Sequence, residues 1–295
     1  MRVSENSIIQ DYLRNLEQAR SRWVEWNRQV ATGKRIHQPS DSPADAARIL
    51  RVRDEMSRVN QYFRNISRAR AQLGNAASAL NTLRNVATKV VERAAFAVTD
   101  TTSPENRLAI AGELKGVLEG VVQVARTTVD GKFLFSGSQV DQDPVQQVGG
   151  VWQYQGNTAR MRIEVVDGEL VDVNVYGSEV FSDPNGDLLN SIQRLINALE
   201  ANDTDAARAA MAEVNQAGKV IDLARFKISQ GLNRIEAAEA RLDQRMFDLT
   251  AEVAAAEDAD MAEAISRMVQ SETALNASLA AGGRLRQGNL FDVMG

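Results

Sequence analysis

The chain has 295 residues, 44% apolar and 25% charged, which is the mixture of a folded protein long enough for two ordinary domains. Aromatic residues are only 5%, so helices packed through Ala, Leu and Val are expected rather than a thick aromatic core, and the absence of cysteine beside a single histidine, His37, excludes disulfides, thiolate metal sites, cysteine nucleophiles and multi-histidine metal centres. The net charge of −5 is uneven: residues 1–70 hold 14 Arg/Lys against 8 Asp/Glu, and 139–205 hold 3 against 12. The N-terminal arginines alternate with acids along helical segments, which reads as a solvated or subunit-facing surface and not as a nucleic-acid site. No apolar run approaches the roughly 20 residues that span a bilayer, and Met1–Ser7 lacks the apolar region of a cleavable signal, so any export is expected to use another route.

In chain order, the first element is an amphipathic helix whose stripe is Ile8, Tyr12, Leu16, Ala19, Trp23, Trp26 and Val30. A polar connector follows, with Pro39 and Pro43 bracketing Ser40-Asp41-Ser42. Ser42 as N-cap, Pro43 at N1 and Asp45 at N3 predict a helix start there. The stripe Ile66, Ala69, Leu73, Ala76, Leu80, Leu83, Ala87, Val90, Ala94, Ala97 alternates steps of three and four, which is a coiled-coil seam. A helix of about 55 residues would be about 80 Å long, a rod rather than a ball. Ser103-Pro104-Glu105 predicts a second helix with Leu114, Leu118, Val121 and Ala125 on one face, stopped by Asp130-Gly131.

A third long helix is expected from about Thr204 to Leu249 or beyond, with the seam Val214, Ala217, Ile221, Ala224, Ile228, Gly231, Ile235, Ala238, Leu242. Gly231 and Arg245 weaken that seam and predict local irregularity. Between these helices the period changes to two, at 151–154, 161–165 and 171–175, with hairpin joints predicted at Gly156-Asn157 and Asp167-Gly168. This is a small antiparallel β unit of roughly 140–182, followed by a short helix at about 187–200. A last stripe, Met261, Ile265, Met268, Leu275 and Leu279, is interrupted by Glu272. The two terminal stripes lack partners within their own segments and most simply pack on each other or on neighbouring copies.

The fold class expected is therefore mainly α: an elongated antiparallel helical coiled-coil rod with paired N- and C-terminal helices and a small inserted antiparallel β domain. Residues 1–38 with 261–295 make the terminal helices, 39–137 with 204–260 the rod, and 138–203 the β-rich insert with its short helix.

Chemistry-bearing residues are few. His37 sits in a polar connector without an evident acid partner. Asp183-Pro184-Asn185-Gly186-Asp187 has a calcium-loop look but lacks the terminal bidentate Glu, so a turn and N-cap is the better reading. Glu257-Asp258-Ala259-Asp260 reads as acids at a helix start, and Gly282-Gly283 as a kink in a helical tail. No glycine pattern for phosphate follows a strand. The terminal faces mix both charge signs, so membrane binding is not expected. An enzyme is not expected, nor a cofactor, nor a metal.

Three passages carry a resemblance. Thr32-Gly33-Lys34-Arg35-Ile36 followed by Pro39-Ser40-Asp41-Ser42-Pro43-Ala44 resembles the "TGKRI…PSDDPA" signature of the flagellar hook-associated protein 3 family, relatives of flagellin. Gly131-Lys132-Phe133-Leu134-Phe135-Ser136-Gly137 is similar to that family's "GxxLFSG" turn. The runs Asp260–Ile265, Thr273–Leu279 and Asn289–Asp292 resemble its tail. Ser42 replaces the usual second Asp, and the finish at Phe291–Gly295 is slightly altered. The resemblance implies a non-enzymatic structural part of the bacterial flagellum at the hook–filament junction. It implies a homo-oligomeric ring between a neighbouring hook-associated junction protein and flagellin filament subunits. It also implies export through the flagellar type III apparatus after binding a chaperone, with no nucleic-acid partner. The terminal stripes would then be the assembly seams. A flagellin-type filament subunit and a lipid-coating amphipathic helical protein are the alternatives.

Overall fold

The computed structural model describes residues 2–175, 177–183 and 186–293, without the side chains of residues 2–6, 8 and 284–293. The helices are α1 (Arg2–Thr32), α2 (Pro43–Ala97), α3 (Pro104–Ala125), α4 (Gly177–Phe181), α5 (Leu188–Glu200), α6 (Thr204–Glu257) and α7 (Met261–Val293). Six short strands form three antiparallel ladders: β1 (Thr128–Val129) with β2 (Lys132–Phe133), β3 (Val145–Val148) with β4 (Val151–Tyr154), and β5 (Arg162–Val166) with β6 (Glu169–Asp172). The mainly α class with paired terminal helices and a small antiparallel β insert is what the structure shows. Two compact units emerge, one of residues 59–244 and one of 1–58 with 245–295.

The unit 59–244 is organised by the α2 seam. Every stripe residue from Ile66 to Ala97 is buried, as are Leu114, Leu118, Val121 and Ala125 of α3. Each fully buried Leu, Ile or Val contributes about 1.5–3 kcal/mol. On α6, Val214, Ala217, Ile221, Ala224, Ile228, Ile235 and Ala238 are buried. Salt bridges Arg84–Asp222, at 2.8 Å, and Arg70–Glu239 set α2 and α6 antiparallel here, since positions rise on one helix as they fall on the other. Short α5, buried at Leu188, Leu189, Ile192, Leu195, Ile196 and Leu199, packs on α3. Ser103 caps α3 by accepting from the Asn106 N–H at 3.4 Å, and Asp187 caps α5 by accepting from that of Asn190 at 3.0 Å. The end of α2 is closed by buried Arg107, which donates to the carbonyls of Ala97 and Thr99 and to Asn202 Oδ1. A cation on the last carbonyls of a helix suits its dipole.

Four expectations are corrected. α3 ends at Ala125 and not at Asp130-Gly131. Those two residues, with φ of 51° and 75°, instead form the turn between β1 and β2. Gly156-Asn157 is not a hairpin joint: β4 pairs back with β3 across Gly149-Gly150, whose φ values of 60° and 84° suit a tight hairpin turn. The polar middle of Val145-Gln146-Gln147-Val148 hid that partner strand. Asp167-Gly168 does join two strands, though β6 begins at Glu169 rather than 171. α6 also runs unbroken through Gly231 and Arg245. A Cβ on Gly231 would stand 3.1 Å from Leu73 Cδ1 and 3.8 Å from Val171 Cγ1, so the glycine admits close packing rather than a break. Arg245 points outward and pairs with Glu55.

The Leu134-Phe135-Ser136-Gly137 run is a buried knot in this unit. Phe135 meets Phe181 edge to face, with ring centroids 5.5 Å apart. Ser136 Oγ donates to the Gln142 carbonyl at 2.7 Å, and Tyr154 Oη to that of Phe135 at 2.8 Å. Burial pushes the Tyr154 phenol up to about 12. Gly137 has φ of 70°, and a Cβ there would lie 2.3 Å from the Asn157 carbonyl oxygen. Gly131 has φ of 75° but open space. Gly131→Ala should cost about 1–2 kcal/mol, the left-handed strain alone. Gly137→Ala should cost at least twice as much in urea unfolding, because backbone must also move. Equal costs would show that the approach of Asn157 carries no energy.

Candidate assembly site

The unit of 1–58 with 245–295 contains two interruptions of helix, at 33–42 and at 258–260. They face each other. Thr32 ends α1 with Oγ1 donating to the Arg28 carbonyl at 2.8 Å, and Gly33, at φ of 71°, turns the chain while its N–H bonds the Gln29 carbonyl. The Arg35 N–H donates to the Glu257 carbonyl at 2.7 Å and the Ala259 N–H to the Gly33 carbonyl at 2.9 Å, an antiparallel bridge across the two breaks. Side chains repeat the link. Glu257, 7% exposed, accepts from Lys34 Nζ at 2.6 Å and from Arg53 Nη2 at 2.7 Å. Arg35 Nη2 reaches the Ala256 carbonyl and Asp45 Oδ2, both at 2.9 Å. Ile36 is buried with Ile49 and Ala256 beneath.

The PSDSP half of the motif shapes the second turn. Asp41 Oδ2 accepts from the backbone N–H groups of His37 and Gln38, each at 2.9 Å, which holds its carboxyl below the usual range. Ser42 Oγ donates to Asp45 Oδ2 at 2.9 Å, and α2 starts at Pro43 as its capping pattern predicts. Pro39 and Ser40 lie in the exposed turn between them. The acid absent from the reading of His37 is Asp41, yet it takes the backbone of His37 and not its ring. That ring sits 2.6 Å from Thr32 Oγ1. Nothing in this corner resembles an acid–base pair; its donors and acceptors bind chain to chain.

α1 packs on α7 within this unit. Tyr12, Leu16, Ala19, Trp23, Trp26 and Val30 of α1 are half-buried, as are Asn27 and Arg28, with Gln29 buried among them, whereas the side chain of Ile8 lies outside the described residues. The C-terminal stripe divides. Met268 and Leu275 are half-buried beside Ala264, Ser271 and Ser278, but Met261, Ile265 and Leu279 are exposed. The covered face of α7 therefore uses small residues, and periodicity counted only for large ones missed it. Gly282 is not a kink: α7 is continuous, and a Cβ there would stand 2.0 Å from Tyr12 Oη. Glu257 closes α6 rather than opening a helix, and Asp260 caps α7 through the Ala262 and Glu263 N–H groups. Pro184 and Asn185 of the calcium-like loop, and Asn289–Asp292 of the tail in their side chains, fall outside the described residues; Asp187 is a helix cap. Among the described residues no cluster suited to a metal occurs, and no helix is long and apolar enough to cross a membrane.

Lys34 first, and Arg53 with it, hold the Glu257 carboxyl below its ordinary 4.5. The stability this contributes is present above that pH and lost as acid titrates through the lower folded value. In a Trp152→Phe background, Trp23 and Trp26 report this unit. Glu257→Ala should lower its stability by about 1–2 kcal/mol at pH 7, since both cations are half exposed. The difference from the parent should shrink below about pH 4. An unchanged urea midpoint at pH 7 would show that the clasp holds nothing.

Comparison with known proteins follows the same residues. The model of the bacterial flagellin N-terminal helical region matches residues 3–140. Flagellar hook-associated protein 3 of Escherichia coli (strain K12) is 22% identical over 317 residues, covering 99% of both chains. The flagellin of Listeria monocytogenes is 22% identical over 286 residues, 95% of this chain and 94% of its own. The crystal structure of the flagellar junction protein FlgL from Legionella pneumophila shares the fold with a TM-score of 0.62 at 15% identity, over 72% of this chain and all of that one. With the motifs at both ends, these likenesses make the chain similar over nearly its whole length to flagellar hook-associated protein 3, and they support a flagellin-like structural role in the bacterial flagellum rather than an enzymatic one.

Proposed function

We propose that this chain is the junction subunit of its flagellum, assembling as a homo-oligomeric ring between a neighbouring hook-associated protein and the first flagellin filament subunits. The terminal helices, 1–38 with 261–295, are the assembly part; 39–137 with 204–260 form the helical rod, and 138–203 its insert. The observation that carries this reading is apolar surface left open on α1 and α7: Ile9, Leu13 and Val24 on one, Met261, Ile265, Val269 and Leu279 on the other, all between 41% and 52% exposed. Met261, Ile265 and Val269 recur every four residues, one face of a helix. Covering each half-exposed side chain contributes about 1 kcal/mol, so the stripe favours association through several contacts at once. An apolar stripe of this kind also explains a need for a chaperone before export through the type III channel.

Leu13→Asp with Ile265→Asp should leave helical circular dichroism and melting close to those of the parent, because both side chains already face solvent. Incorporation at the hook tip should fall at least tenfold, since a carboxylate in an apolar contact is costly. Full incorporation would sink the assembly role of this stripe. The flagellin-type alternative draws support from the matched N-terminal region. It requires purified chain to grow long polymers unaided, whereas a junction subunit stops at one ring. Vesicle binding by the purified chain would favour the lipid-coating alternative instead.

A further inference from the structure

Within the unit 59–244, α3, the β3–β4 hairpin and α5 border a cleft of about 460 Å³. Small-molecule sites span roughly 300–1,000 Å³. The floor is apolar, from buried Leu118 and Val122 of α3. Trp152, the only tryptophan of this unit, stands half-buried in the wall. Its backbone is held at both polar atoms: the N–H donates to Asn190 Oδ1 at 2.9 Å, and the carbonyl accepts from Asn190 Nδ2 at 2.8 Å. Asn190 is buried and is itself fixed by Asp187 Oδ2 at 2.6 Å. A buried amide and carboxyl behind β4 thus set where the indole stands.

The polar groups around that ring are mostly amides. Gln147 lies directly opposite Trp152 in the ladder, and Gln123 and Gln193 come from α3 and α5. Gln193 gives an N–H to Asn197 Oδ1 at 3.0 Å and keeps its carbonyl. The side chains of Gln123, Gln147 and Glu119 have no partner among the described residues. The two cations of the cleft are already paired, Lys115 with Glu200 at 2.6 Å and Arg126 with Asp143 at 2.9 Å, so an anion finds no idle charge here. The indole N–H of Trp152 is buried without an acceptor, which is costly while unmet. An aromatic surface set among amides matches a sugar ring, whose C–H faces are apolar and whose hydroxyls both donate and accept.

We infer that this cleft binds a neutral pyranose saccharide, with a C–H face of the sugar against Trp152 and its hydroxyls on Gln123, Gln147 and Glu119. Gln147, exposed and unpartnered, turns aside as the sugar enters, and a hydroxyl oxygen then accepts the indole N–H. The site rests on no contact of α1 or α7, so it stands or falls apart from the assembly reading.

Nuclear magnetic resonance of the full chain tests it. Three tryptophans give three indole N–H resonances, and Trp152→Phe identifies the one that matters. Glucose, galactose, mannose, N-acetylglucosamine, maltose and lactose are titrated separately, with sodium acetate and inorganic phosphate as anion controls. At least one sugar should move the Trp152 resonance downfield and saturably while those of Trp23 and Trp26 stay in place. Glu119→Ala with Gln123→Ala should weaken that binding at least tenfold, and unmoved Trp23 and Trp26 resonances with parental circular dichroism show that the variant is folded. Should it melt early, Gln147→Ala takes its place. No shift with any sugar, equal shifts of all three indoles, a response to the anions alone, or binding that the variants retain overturns the saccharide site.

Discussion

One carboxylate, that of Glu257, binds together the two places where this unit of the chain stops being helical. Either break alone would be a hinge: residues 33–42 and 258–260 contribute little apolar surface beyond Ile36. Held between Lys34 and Arg53, and doubled by the backbone bridge of Arg35 and Ala259, the two become one corner. The direction in which α1 and α7 leave that corner then follows from covalent geometry and a few charge-assisted hydrogen bonds. The conspicuous TGKRI and PSDSP residues are accounted for by this corner: Gly33 for its positive φ, Lys34 and Arg35 for reaching across, Asp41 and Ser42 for restarting helix.

The two units solve the packing problem differently. Along 66–97 the seam is complete, with Leu, Ile, Val and Ala buried at each turn and bridges such as Arg84–Asp222 outside. On α7 the inward face is Ala264, Ser271, Ser278 and Gly282 beside Met268 and Leu275, which brings the helices close but buries little. The larger residues stand on another face, open to solvent. A helix pair that saves its apolar side chains for outside contacts has the physical character of a subunit surface rather than a finished core.

The helical part of this was legible in the sequence because long seams repeat one rule many times. Ten successive positions from Ile66 to Ala97 can absorb an error; every one of them is buried, with Ala79 the one further buried residue of that stretch. The β part depends on single turns, where one wrong joint moves a strand. Gly156-Asn157 has the composition of a hairpin turn, but Gly156 instead lies against the Ser136 backbone and the Tyr154 ring, and Asn157 ties itself to Ser138. The turn that forms, Gly149-Gly150, follows a strand too polar to notice. The clasp was half legible: the motif stood out, yet its partner Glu257 lies more than two hundred residues away, and no local pattern names it. The C-terminal stripe misled for a simpler reason, since small residues mark close helix contact and large ones were counted instead.

Electron cryomicroscopy of the flagellum that carries this chain tests the account most directly. It should find the chain as a single ring at the boundary of hook and filament, with α1 and α7 buried between copies and the Glu257 corner intact in each. Density for the chain repeated along the filament, or terminal helices splayed into solvent while the 59–244 units make all the contacts, would contradict it.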